Sequence, residues 1–141
     1  MLVKNYYSVI NNAFSSNSVT VKEIEQGRDV SANVGFVARN NNSILIRYGS
    51  GDRAESVDDY KLAEEIGTAK GTTVQTENSI SVNGFIINSG SETVIIKEIG
   101  ISVEIKVTGT TYATILFSRT VLNESIELLP GDMVAINTQF V

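Results

Sequence analysis

Carboxylates are the side chains of this sequence that could act as catalytic acids or bases, because the chain has no histidine and no cysteine. Histidine is the commonest general base and metal ligand, and cysteine supplies thiolates, so those chemistries lack their usual residues. The densest acidic cluster is Asp58-Asp59, with Asp52 and Glu55 close by. Such oxygens could bind calcium, although the spacing of an EF-hand loop is absent.

A simpler interpretation is that this acidic cluster begins a helix. Ser56 can cap a helix N-terminus, and Asp59, three residues later, can answer it as in a capping box. Acidic side chains are also favoured at the positive end of the helix dipole. We therefore predict a short helix over residues 57–66, capped by Ser56 and Asp59, with no metal or other cofactor.

Gly49-Ser50-Gly51 is the one motif that suggests a phosphate-binding loop. It lacks the lysine that follows a P-loop and the third glycine of a dinucleotide fingerprint. We interpret it as a turn.

Arg119 lies in a predicted strand, on the same alternation as Ile115 and Phe117. An arginine buried at such a position needs an anionic partner, and Glu98 and Asp132 are the candidates. No paired nucleophile and base accompany it, so we predict a structural ion pair among Glu98, Arg119 and Asp132 and no catalytic residue.

Alternating apolar and polar residues predict strands through most of the chain. The pattern is clearest over residues 99–107, where Ile and Val alternate with polar side chains. We predict further strands over residues 19–25, 32–38, 44–48, 79–88, 112–119, 125–129 and 133–141. Asn88–Ser91 is predicted to join two strands as a hairpin, and Pro130-Gly131 to form a type II turn.

The first residues are predicted to form a helix or arm over residues 1–17, since Val3, Tyr7, Ile10 and Phe14 fall at helical spacing. The remaining residues, 18–141, suit one domain. Many short strands at this spacing indicate a mainly β fold, an antiparallel β-sandwich or jelly-roll-like barrel. The two short helices, at the N-terminus and near 57–66, would be its only helical parts.

Charge and hydropathy exclude two classes of partner. The net charge is −5 and no basic face is evident, so we expect no nucleic acid. No apolar run approaches the roughly 20 residues that span a membrane. The first residues do not form a signal peptide, so we expect the protein to be made in a cytoplasm.

Several motifs, taken together, resemble small β-rich virion proteins of tailed bacteriophages. They are Arg47–Gly51, Asp58–Leu62, Asn88–Gly90, Val94–Ile101, Leu116–Leu122 and Leu129–Asp132. The resemblance covers about residues 45–141. It implies an auxiliary capsid protein, a head-fibre base, or a neck or tail adaptor, assembled in the cytoplasm of the host bacterium. It also implies capsid, portal or tail partners and no catalytic residues.

We therefore expect a non-enzymatic structural protein of the virion, present in several copies as a homo-oligomer or a multi-copy component. The candidates for contact with a neighbouring subunit are Leu2, Val3, Tyr6, Tyr7 and Ile10. One alternative is a glycan- or host-surface-binding module of a fibre or tail, with Tyr48 and Tyr60 on one loop face. Another is a carboxylate hydrolase, which needs two carboxylates about 5 to 10 Å apart in a cleft.

Overall fold

The computed structural model describes residues 1–7, 19–32, 44–106 and 112–140, and within these ranges the protein is mainly β, as predicted. One short helix occupies residues 4–7. The strands are β1 (Val19–Lys22), β2 (Asp29–Ala32), β3 (Ile44–Gly49), β4 (Glu65–Lys70), β5 (Thr72–Gln75), β6 (Ile80–Ile87), β7 (Val94–Lys106), β8 (Tyr112–Leu128) and β9 (Met133–Phe140).

The strands form three antiparallel sheets, ordered β1-β2, β4-β3-β7-β8 and β5-β6-β9. The four-stranded and three-stranded sheets pack face to face as a sandwich. Their shared core contains Ile46, Ile96, Ile99, Ile101 and Leu128 from the first sheet, and Val82 and Ile86 from the second. Side chains alternate across a strand, so the residues between these core positions face outward.

A second core lies where β7 and β8 extend beyond the sandwich. There Val21 of β1 packs with Val103, Ile105 and Ile115. Val3, Ile24 and Leu116 form a smaller cluster beside it. The two-stranded sheet and the N-terminal residues thus cover the part of β7 and β8 that the three-stranded sheet does not reach.

The predicted hairpin at Asn88–Ser91 is wrong, because the chain passes there from one sheet to the other. β6 pairs with β5 and β9, whereas β7 pairs with β3 and β8. The buried Asn88 amide donates to the carbonyl oxygens of Glu92 (2.7 Å) and Leu128 (2.9 Å) and thereby holds the crossover. A polar turn sequence is compatible with either connection, and only the long-range bond to Leu128 distinguishes them.

The Pro130-Gly131 turn has the predicted geometry. Gly131 has a φ of 87°, and the Asp132 N–H donates to the Leu129 carbonyl over 2.9 Å. Positive φ at the third residue, with proline before it, is the type II arrangement. This turn also joins the two sheets, since β9 pairs with β6 and not with β8.

The predicted helix near 57–66 is wrong. Val57 and Asp58 form a turn, irregular backbone follows, and β4 begins at Glu65. The bonds of a capping box are present without a helix: Asp59 accepts from the Ser56 N–H (2.9 Å) and Ser56 accepts from the Asp58 N–H (3.2 Å). Ser56 and Asp59 therefore stabilise a turn. The strand predictions missed β4 and β5.

β8 replaces the two strands predicted over 112–119 and 125–129. Ile96 pairs with Ile126 and Glu98 pairs with Val121, so residues 122–125 all lie opposite Lys97 as a bulge. At the N-terminal end, β1 stops at Lys22 and β2 occupies residues 29–32. The rest of the strand predicted over 32–38, and residues 8–17 of the predicted N-terminal helix or arm, lie outside the described residues.

Candidate functional site

Arg119 is a fully buried arginine on β8, paired through its backbone register with Gly100 of β7. Its Nε donates to Glu98 Oε2 over 2.7 Å, and its Nη1 donates to Asp59 Oδ2 over 2.9 Å. Glu98 is one of the two partners expected for it. The other, Asp132, instead accepts from the Leu129 N–H within its own turn.

The guanidinium of Arg119 also fastens the loop between β3 and β4. Nη2 donates to the Arg53 carbonyl (2.8 Å) and Nη1 to the Ala54 carbonyl (3.3 Å). Arg53 in turn donates to Asp59 Oδ1 over 2.6 Å. We call Arg53, Asp59, Glu98 and Arg119 the Arg119 cluster. Because a buried charge is costly without partners, these bonds are what allow Arg119 to lie in the interior.

Glu98 holds the other end of the same loop. Its carboxylate accepts from the backbone N–H groups of Ala63 (3.0 Å) and Glu64 (2.7 Å). These bonds keep the backbone extended as it enters β4, which gives a physical reason why the sequence over 57–66 does not continue as a helix.

The glycine motif before the loop is explained by close packing against the same carboxylate and against the Ala63-Glu64 segment, whose Glu64 carbonyl oxygen is the nearest atom to a Cβ on Gly49. A Cβ on either Gly49 or Gly51 would lie 2.6 Å from Glu98 Oε1, closer than real Cβ contacts allow. Gly100 is similarly crowded, since a Cβ there would lie 2.8 Å from Leu62 Cδ2. Gly49-Ser50-Gly51 is therefore a place of close backbone approach.

The charges of the cluster reinforce one another. Burial alone would raise the pKa of Asp59, but hydrogen bonds from Arg53, the Ser56 N–H and Arg119 outweigh it and hold that pKa below its ordinary value. Burial alone would lower the pKa of Arg119, but Glu98 and Asp59 outweigh it and raise that pKa. Both groups therefore stay charged and paired at neutral pH, which suits a structural role.

The remaining acidic residues around the loop also have local partners. Glu55 accepts from the Val121 N–H over 2.7 Å, and Asp52 lies 3.5 Å from the ammonium of Lys97. An open groove of about 590 Å³ runs beside the loop, and the acidic residues in its lining are Asp52, Asp58, Asp59 and Glu64. Within the described part of the chain, no three histidine, cysteine or acidic residues are placed to hold a metal ion.

The N-terminal residues lie against their own chain. Leu2 forms an antiparallel bridge with Ser118, and the fully buried Val3 donates its N–H to the Phe117 carbonyl over 3.0 Å. Tyr6 contacts the rings of Phe117 and Phe140, at 5.6 and 6.1 Å between centroids.

Leu2, Val3 and Tyr6 therefore pack within the chain, and the contact of this segment with a neighbouring subunit stays a prediction. Tyr7 remains exposed, and Ile10 lies outside the described residues. The apolar pattern of the segment predicted burial correctly, but it could not distinguish burial on the same chain from burial on another.

The two tyrosines considered for glycan binding each cover a glycine of their own chain. A Cβ on Gly67 would lie 2.6 Å from the Tyr48 hydroxyl, and one on Gly27 would lie 2.9 Å from the Tyr60 ring. Tyr48 also packs against the sandwich core. Both rings are thus engaged in packing.

An exposed apolar patch on the three-stranded sheet was missed by sequence reasoning. Phe85 and Ile87 of β6 and Met133 of β9 are 58, 56 and 60% exposed. Ile87 pairs directly with Met133, and Phe85 with Ala135, so the three side chains occupy neighbouring positions of one face. We call Phe85, Ile87 and Met133 the outer patch. The available signal was the run Phe85-Ile86-Ile87, since three successive apolar residues in a strand must place apolar side chains on both faces.

The Arg119 cluster and the outer patch differ in their accessibility to a ligand. Asp59, Glu98 and Arg119 are buried and linked by hydrogen bonds, with the exposed Arg53 as a further partner of Asp59, whereas the patch is apolar and exposed. Comparison of the chain with known protein families, characterised proteins and solved structures finds no match. No helix of the described ranges is long and apolar enough to cross a membrane. Of the two regions, the outer patch is the one that exposes large apolar side chains.

Proposed function

We propose that this chain is a non-enzymatic structural component of a bacteriophage virion, present in several copies, that packs against other virion proteins through its outer patch. The observation that carries the proposal is the exposure of Phe85, Ile87 and Met133 side by side on one sheet face. Single exposed apolar residues are ordinary, but a contiguous group marks an interaction surface.

The outer patch is large enough to contribute usefully to binding. Fully burying one large apolar side chain contributes about 1.5–3 kcal/mol. Burying the exposed halves of three would therefore contribute roughly 2–4 kcal/mol. A few such residues at the centre of an interface typically supply most of its affinity.

Two further features support the proposal. The motifs that resemble phage virion proteins cover about residues 45–141, the part of the chain that builds β3 to β9. The charged residues that could have done chemistry, Asp59, Glu98 and Arg119, are instead buried in a network that shapes a loop. Both features are consistent with a structural role.

The proposal is tested by incorporation into particles of the phage that encodes the chain. Phage lacking the gene would be grown in hosts that supply the wild-type protein, Phe85→Glu with Ile87→Lys, or Ile66→Glu. Ile66 is an exposed apolar residue of β4, away from the outer patch, and serves as the matched control.

We expect purified particles to contain the wild-type and Ile66→Glu proteins and to lack the doubly substituted one. Thermal unfolding of all three purified proteins checks that folding is unchanged. Particles that never contain the wild-type protein would overturn the virion assignment, and normal incorporation of the double variant would overturn the role of the outer patch.

A further inference from the structure

β9 is an edge strand that has a pairing partner on one side only. Its eight residues pair without a register shift with β6, from Ile80 opposite Phe140 to Ile87 opposite Met133. No described residue pairs with its other edge. The strand contains no charged residue and no proline. An exposed edge with these properties is a ready template for another strand.

The other outer edges of the two main sheets are protected in ways that β9 is not. β4 carries Glu65 and Lys70 and has a register shift at its end, and β5 is only four residues long. The edge of β8 is covered by Leu2 and by the Glu55 carboxylate, and it is interrupted by the bulge at residues 122–125. Charges, bulges, shortness and coverage are the usual defences of an edge strand.

The sandwich is also open along β9. A groove of about 400 Å³ separates β9 from β8, and the partly buried apolar side chains of Leu122, Ile126 and Ile136 line it. Tyr6 closes the neighbouring stretch by contacting Phe117 on β8 and Phe140 on β9. The unpaired edge and the open apolar groove thus lie side by side.

We propose that a second copy of this chain occupies this edge, with β9 pairing antiparallel to β9 of the second copy about a twofold axis at Ile136. In that register Ile136 faces itself, Val134 faces Thr138, Ala135 faces Asn137 and Met133 faces Gln139. No charged side chain opposes another, so two chains that each carry a net charge of −5 can approach along this strand. Twofold dimers with self-complementary surfaces are the commonest protein oligomers.

The pairing would produce a continuous six-stranded sheet, β5-β6-β9-β9-β6-β5. A twofold axis perpendicular to the sheet keeps the same face outward in both copies, so the two outer patches lie on one surface. The dimer would therefore present twice the apolar contact area to a third protein. The inference concerns the β9 edge, not the patch, and it stands or fails independently of the proposed function.

The experiment uses paired charges on the exposed face of β9. In the double variant Ala135→Lys with Asn137→Lys, the ammonium at position 135 of one copy faces the ammonium at position 137 of the other copy. In Ala135→Glu with Asn137→Lys, each carboxylate opposes an ammonium. Both variants change the same two exposed positions and both remove the bond between Asn137 and Asn83. They differ in charge pairing across the interface and in net charge, which is −3 (−5 + 2) for Lys/Lys and −5 (−5 − 1 + 1) for Glu/Lys. The smaller net charge alone would favour association of Lys/Lys, so its weaker association would be due to the opposed ammonium groups. Light scattering after gel filtration, over a range of protein concentrations, gives the mass.

We expect the wild type and the Glu/Lys variant to be dimers, at twice 15.2 kDa. The Lys/Lys variant should dissociate at concentrations at least ten times higher than the wild type. At concentrations low enough for both variants to be monomeric, Lys/Lys and Glu/Lys should unfold at the same temperature, because dimerisation itself stabilises the folded state. A wild type that stays monomeric at 100 µM-scale concentrations, or two variants with the same dissociation constant, would overturn the proposal. Pairing of a monomeric wild type with a different virion protein would overturn the second copy as the occupant.

Disulfide crosslinking of introduced cysteines tests the proposed β9–β9 register independently. Because the chain has no cysteine, a single introduced cysteine can form only an intermolecular disulfide. Ile136→Cys should crosslink fastest, since it meets itself at the axis, and Met133→Cys should crosslink slowly. Equal crosslinking rates at the two positions would contradict pairing about Ile136.

Discussion

The Arg119 cluster and the outer patch are both exceptions to the usual distribution of side chains, in opposite directions. In the cluster, the charged residues Asp59, Glu98 and Arg119 are buried, while in the patch large apolar residues face solvent. The buried charges are satisfied within the chain, by Glu98, Asp59 and loop carbonyls. The exposed apolar residues have no such internal partner among the described residues. If the cluster serves folding and the patch serves association, as proposed above, substitutions in the two regions should affect different measurements.

The largest effect on stability is expected from Arg119→Met. It leaves Glu98 buried without its cation and leaves Asp59 with Arg53 as its remaining cationic partner. Breaking a buried ion pair in this way costs about 3–5 kcal/mol of unfolding free energy. Urea unfolding followed by circular dichroism measures the loss. Lys97→Met is the control, because its pair with Asp52 is exposed and such pairs contribute at most about 1 kcal/mol. Equal losses in the two variants would remove the distinction between buried and exposed charges.

A smaller loss is expected from Gly51→Ala. The added Cβ would lie 2.6 Å from both Glu98 Oε1 and Ala63 Cβ, so the loop must shift. Overpacking of this kind costs about 1–3 kcal/mol. Gly90→Ala is a matched control, since its Cβ would meet only Asn88 Oδ1, at 3.4 Å. Similar unfolding midpoints for the two alanine variants would show that close approach to Glu98 is not what requires glycine at position 51.

Acid should weaken the Arg119 cluster through Asp59. Its pKa is lower in the folded protein than its ordinary value of 3.8, so its contribution to stability is present above that value. The contribution is lost as the pH falls through the lower, folded-state pKa. Unfolding free energies measured from pH 7 to pH 2 should therefore fall more steeply below about pH 4 in the wild type than in Asp59→Asn. Asp58→Asn, at the exposed neighbouring residue, should retain the wild-type slope.

The sequence predicted the parts of the fold that depend on local pattern. Alternation located β3, β6, β7 and β9, and the mainly β class followed from it. The contact between Arg119 and Glu98 was foreseeable because a charge in an apolar strand needs a partner. The conformation of residues 57–66 could not be predicted from the sequence. Their helix-capping residues do form the expected hydrogen bonds, but the carboxylate of Glu98, distant in sequence, holds the following backbone extended. The sheet changes after β6 and β8 were also missed, since turn residues do not indicate which sheet the next strand joins.

The smallest effect on stability, and the sharpest test of the contrast, is expected from Phe85→Ser with Ile87→Ser. Both side chains are more than half exposed, so little burial is lost on folding and the unfolding free energy should change by less than about 0.5 kcal/mol per substitution. Ile86→Ser, between them in the sequence but on the core face and 1% exposed, is the control and should cost several times more. The comparison depends on strand alternation alone, since adjacent residues of β6 face opposite environments. If the outer substitutions destabilised the isolated chain as much as the inner one, the outer face would be part of the folding core and could not be the surface reserved for a partner.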